Sequence, residues 1–145
     1  MFKRILVCTD GSDISGRAVA TAIGLCQALG SALNAISVKE PFPYNAISEM
    51  QPAPLQEFYD AQDELATRRL QVVAQRAHAA NVPFEAYTVE AEHPWEAIIE
   101  HAATIGADLI VMASHGRRGV SALLLGSETQ KVLTHSEVPV LVVRG

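Results

Sequence analysis

Thiols are nearly missing from this sequence. Cys8 and Cys26 are its only cysteines, and they form neither a CxxC pair nor a metal-binding spacing. A disulfide scaffold and a cysteine-built zinc site are therefore excluded, and the pair reads as two reduced, buried small side chains. Long hydrophobic runs are missing too. No apolar stretch approaches the roughly 18 residues that a membrane helix requires. The apolar stretch that ends at Thr9 is too short for a signal-peptide core and lacks a small-residue cleavage site, so the cytoplasm is the expected location. Positive charge is scarce: 11 Lys and Arg stand against 16 Asp and Glu, a net charge of −5. With few clustered basic residues, neither nucleic acid nor a membrane surface is expected as a partner. The histidines His78, His93, His101, His115 and His135 show no HExxH or other metal spacing. His78, His101 and His135 fall on helical segments and are expected to be solvated.

What is present is apolar material arranged in periods. Of the 145 residues, 49% are hydrophobic, enough for one domain with a real core and too few residues for two domains of ordinary size. Residues 5–8 form a continuous apolar run, which suits a strand buried on both faces. Ile14, Ala18, Ala22, Leu25 and Leu29 recur at steps of three and four, one helix face that Gly30 closes. Residues 32–38 read as a second strand. Pro41, Pro43, Pro52 and Pro54 then argue against regular structure over 40–54, and a helix is expected from Leu55 to about Asn81. A third strand covers 84–89. His93-Pro94 opens a helix that Gly106 ends, with Glu96 in its first turn. A fourth strand covers 109–112, a short helix runs from Ser127 to about His135, and 139–143 form the last strand.

Strands and helices thus alternate five and four times. That order predicts an α/β fold: a single doubly wound, five-stranded parallel sheet with right-handed crossovers and helices on both faces. In such sheets a ligand sits beyond the carboxyl ends of the strands, where strand order reverses. The candidates are therefore Thr9 and Asp10, Val38 and Lys39, and Ser114, His115 and Gly116.

The stretch around Met112, Ala113, Ser114, His115, Gly116, Arg117 and Gly119, followed by Gly126, Ser127, Glu128 and Thr129, carries the chemistry. Glycines let the backbone turn so that successive N–H groups face one anion. Gly126-Ser127 opens a helix whose free N–H groups and positive dipole end suit phosphate, and Arg117 adds a cation. Ser127 could equally be a simple helix cap, and His115 a residue that only shapes the loop. Glu128, in the same first turn, could stabilise the helix, compete with an anion or help hold a metal.

The whole chain resembles the universal stress protein family. That family carries Gly-x2-Gly-x9-Gly-Ser/Thr after its fourth strand; this sequence has Ala113-x2-Gly116-x9-Gly126-Ser127. The opening residues 5–12 and closing residues 138–143 are similar to the family's as well. The resemblance implies an adenine nucleotide alpha hydrolase-like fold with strand order 3-2-1-4-5. It implies ATP or AMP as ligand, with magnesium beside a triphosphate. Asp10 would hold the ribose hydroxyls, the Val38 backbone would meet adenine, and Gly116, Gly126 and Ser127 would hold phosphates. It further implies a homodimer paired through residues 138–143. Two positions depart from the pattern. Cys8 stands where the family often has Val or Pro, and Ala113 replaces a glycine. An extended backbone at 113 accepts the extra methyl group without strain, whereas a left-handed one would not.

Enzymatic readings find little support. There is no Walker lysine motif, no G-x-S-x-G elbow and no acidic pair beside a nucleophile, so weak ATP hydrolysis is the most that is expected. A phospho-receiver domain would need an Asp where Glu90 stands and a Lys where Arg144 stands. A flavodoxin-like site would set Asp10 against the cofactor phosphate.

Overall fold

The computed structural model describes residues 1–39, 41, 52–116 and 125–145. Its elements in chain order are β1 (Arg4–Cys8), α1 (Asp13–Leu29), β2 (Ala32–Lys39), α2 (Pro52–Ala79), β3 (Phe84–Glu90), α3 (Pro94–Ile105), β4 (Leu109–Ala113), α4 (Ser127–His135) and β5 (Val140–Val143). All neighbouring strands pair in parallel, in the order β3-β2-β1-β4-β5. The order reverses at β1, which has β2 on one side and β4 on the other. The loops after β1 and β4 therefore flank the crevice of the sheet.

The central strands are buried because both sheet faces are covered. Helices α1 and α2 cover one face, over a core that includes Ile5, Val7, Leu33, Val73 and Val111. Helices α3 and α4 cover the other, over Leu6, Ile36, Ile98, Ile110 and Val132. Each large aliphatic side chain buried in this way contributes about 1.5–3 kcal/mol relative to exposure. Helices α1 and α3 end where their glycines predict: Gly30 and Gly106 take left-handed φ angles of 70° and 69° at the C-caps.

One expectation is corrected. Regular structure begins before Leu55, because α2 starts at Pro52 and includes Pro54. Prolines in a first helical turn cost little, since those N–H groups have no intrahelical acceptor in any case. The rest of the proline-rich connection, residues 40 and 42–51, lies outside the described residues.

Candidate functional site

The β1–α1 loop is fixed by its own short polar side chains. The Thr9 N–H still bonds the Ile36 carbonyl at 3.1 Å, which extends the sheet by one residue. The buried Thr9 hydroxyl oxygen accepts the Gly11 N–H at 3.2 Å. Asp10 Oδ1 accepts the Ser12 N–H at 2.9 Å and the Ser12 hydroxyl at 2.5 Å. Ser12 is also the N-cap of α1, its Oγ accepting the Ser15 N–H at 3.3 Å. One carboxylate oxygen of Asp10 is thus tied to the start of a helix, and this holds the side chain in place.

The other oxygen lies against the loop after β4. A Cβ built on Gly116 would stand 3.1 Å from Asp10 Oδ2. The two loops implied by the topology therefore meet at this carboxylate. A side chain at 116 would press on that carboxylate, and no left-handed turn is involved, because the positive-φ glycines of the described chain are Gly11, Gly30 and Gly106. Gly126 follows the same logic. Its backbone is extended (φ −64°, ψ 154°), and an added Cβ would stand 3.1 Å from His115 Cα. The Gly126 N–H closes the loop onto the Ser114 carbonyl at 2.7 Å.

Ala113 is the last residue of β4, extended and paired with Val143, so its methyl group causes no backbone strain. The buried Thr129 hydroxyl donates to the Ala113 carbonyl at 2.8 Å and pins the first turn of α4 to the strand end. Gly126, the N-cap residue of α4, has no side chain with which to cap it, and Ser127 is exposed at the first helical position. Glu128 turns elsewhere: its Oε2 accepts the Trp95 N–H of α3 at 2.8 Å. His93, the N-cap of α3, offers no side-chain bond, so Glu128 acts in its place. The negative charge in the first turn of α4 is thereby engaged with a neighbouring helix.

Of the other candidates, Val38 is half-buried near the end of β2, opposite Val89 of β3. Met112 is buried in the core under α3 and α4. His115 is half-buried, with Nδ1 3.2 Å from the Ser114 hydroxyl, an arrangement that shapes the loop. Arg117 and Gly119 lie outside the described residues. Burial pushes the Cys8 thiol up to about 12 and the Cys26 thiol up to about 11, so neither is a nucleophile near neutral pH. No group of three or more His, Cys, Asp or Glu residues that could hold a metal occurs among the described residues. A magnesium ion here would depend on ligand phosphates and water, as that ion commonly does.

Two residues of consequence were not singled out from the sequence. Ser12 orients Asp10, and the Asp-Gly-Ser run at a strand–helix junction was its available signal. Trp95 meets both ends of α4 through Glu128 and through His135, whose ring lies 4.6 Å away; no local pattern announces that contact. The expectation that His101 is solvated is also corrected. It packs 4.3 Å from the Tyr87 ring, and its Nε2 is buried without a hydrogen-bond partner among the described residues. Desolvation lowers its pKa.

The chain is similar to known proteins over its full length. A universal stress protein of Thermus aquaticus is 38% identical over 144 residues, covering 99% of this chain and 100% of that one. The solved structure of a universal stress protein from Methanocaldococcus jannaschii superposes with a TM-score of 0.82 at 26% identity, covering 100% of this chain and 97% of that one. Another, a universal stress protein in complex with cAMP, superposes at 0.74 with 30% identity, covering 99% and 97%. The sequence model of the universal stress protein family matches residues 1–144, and the chain belongs to that family.

Proposed function

We propose that this protein is an adenine-nucleotide-binding regulatory or sensory module, with AMP or ATP as its ligand. The observation that carries the reading is the meeting of Asp10 with the Gly116 backbone across the switch point of the sheet. A fixed carboxylate suits the two hydroxyls of a ribose. The start of α4, whose N-cap residue Gly126 has no side chain to cap it, suits a phosphate with Ser127 beside it. The 30% identical relative in complex with cAMP supports an adenine nucleotide as the ligand class. Val38 meets the base through its backbone, and magnesium accompanies only a triphosphate. The protein works as a homodimer joined through residues 138–143.

Calorimetric titration with adenosine, AMP and ATP, with and without magnesium, tests the reading. AMP should bind at least tenfold more tightly than adenosine, the effect of about 1.5–3 kcal/mol expected for hydrogen bonds to a charged group. Gly126→Val should abolish the difference, because its side chain would press on the His115 backbone. Equal affinities for adenosine, AMP and ATP would show that the loop does not read phosphate. No binding of any would move the protein to a role without nucleotide.

A further inference from the structure

We infer that the groove between α1 and α2 is a second binding site, for a small amphipathic anion: a carboxylate, sulfonate or phosphate head on an apolar body. The groove has a volume of about 640 Å³, within the range of roughly 300–1,000 Å³ typical of small-molecule sites. On α2, Leu65, Arg69, Val72 and Arg76 recur at steps of four and three, which puts them on one helix face. Arg17 of α1 and Arg68 of α2 complete a rim of four arginines. Asp13 is the one carboxylate among the described lining residues, so the groove is locally positive on a chain whose net charge is −5.

Three features favour an organic anion over a simple ion. Val72 is 55% exposed on this face while Leu70 and Val73 are buried, which leaves an apolar surface beneath the arginines. Arg76 Nη1 donates to the Gly16 carbonyl at 3.1 Å, so one guanidinium is already held across the two helices. Arg17 and Arg68 are exposed and make no ion pair among the described residues. A guanidinium presents a planar fork that binds carboxylate or phosphate oxygens in pairs, and it tolerates an apolar neighbour better than an ammonium does. Thr9, Gly11 and Ser12 line one end of the groove, which therefore adjoins the β1–α1 loop, while Asp10, Gly116, Gly126 and Ser127 are absent from its lining, so the two sites are neighbours with different walls.

Fluorescence titration with anilinonaphthalene sulfonate, an amphipathic anion whose emission rises in apolar surroundings, tests the inference. The full chain should show saturable binding that excess AMP does not displace. The uncharged analogue phenylnaphthylamine should bind at least tenfold more weakly. The double variant Arg17→Gln/Arg68→Gln alters two exposed residues and should keep its circular dichroism and melting temperature while weakening the probe at least tenfold. Val72→Asp should weaken it by a similar factor from the apolar side. Absence of saturable binding, displacement by AMP, equal binding of the uncharged analogue, or unchanged affinity in either variant would each overturn the site. So would cosedimentation with phosphatidylglycerol vesicles that the double variant loses while the free probe fails to bind, since the anion would then be a membrane surface.

Discussion

Asp10 gives one carboxylate oxygen to its own loop and turns the other toward Gly116, and these two tasks can be separated by substitution. Asp10→Ala should weaken AMP by about 1.5–3 kcal/mol, the range for a charge-assisted hydrogen bond, as read by calorimetry. Asp10→Asn keeps an acceptor for the Ser12 N–H, so it should lose affinity with a smaller fall in melting temperature than Asp10→Ala. Unchanged affinity in both would remove Asp10 from the site. The cysteines give a second test at this scale. The Cys8 thiol is raised from 9.0 to about 12 by burial. The unfolded chain therefore loses this proton first as pH rises, and stability present below pH 9.0 should fall between there and about 12. Cys8→Ala should show a shallower fall in urea midpoint over that window, and an identical slope would contradict the burial argument. The glycine spacing of the β4 loop was legible at this scale, but the reason for it was not. Gly116 reads as a turn former and Gly126 as the opening of a helix, whereas in the fold a side chain at either position would crowd Asp10 or His115.

Helix α4 is short, and its position depends on contacts at both ends. Thr129 ties its first turn to β4, Glu128 ties it to α3, and His135 lies against the Trp95 ring. Glu128→Ala should destabilise the protein by about 0.5–2 kcal/mol in urea unfolding, the cost of a lost helix cap, because the Trp95 N–H would lose its partner. A destabilisation no larger than that of an exposed control such as Lys131→Ala would argue against the cap. Helix α3 carries a pH response through His101, which packs against Tyr87 of β3. Desolvation holds His101 below its ordinary 6.5, so the folded state resists a proton that the unfolded state accepts. This contribution is present above pH 6.5 and is lost as pH falls through the lowered value, so the urea midpoint should drop on acidification and His101→Phe should lessen the drop. Element order was legible because apolar periods and helix-ending glycines are local signals. The start of α2 was not. Pro52 and Pro54 read as breakers until the first turn of the helix is placed on them, and that depends on which residues face the sheet.

At the scale of the whole molecule, the strand order follows from the alternation of elements together with the family resemblance, and the sheet has that order. What the linear sequence hides is convergence. Arg17 is far along the chain from Arg68 and Arg76, so a chain with few clustered basic residues still gathers a basic groove once α1 and α2 lie on one face. The same holds for Asp10 and Gly116. The sheet also has two edges, and they differ. β3 has only half-buried and exposed residues and carries Glu85 and Glu90, charges that discourage edge pairing. β5 is Val140, Leu141, Val142 and Val143, with no charge to protect it and with Leu141 37% exposed. An unprotected apolar edge of this kind favours pairing with a second copy, which is the basis for the proposed dimer. Leu141→Lys is the suitable test, because Val140 packs against the core under α3 and α4 and a charge there would disturb folding. Light scattering at tens of micromolar, roughly the range in which a modest interface should hold, should give twice the chain mass for the wild type and the chain mass for Leu141→Lys. The variant should keep its AMP affinity, since Leu141 lies opposite Val111, before the end of β4. A wild type that is already monomeric at this concentration would eliminate the dimer while leaving the nucleotide reading intact. A dimer that survives Leu141→Lys would move the interface away from β5.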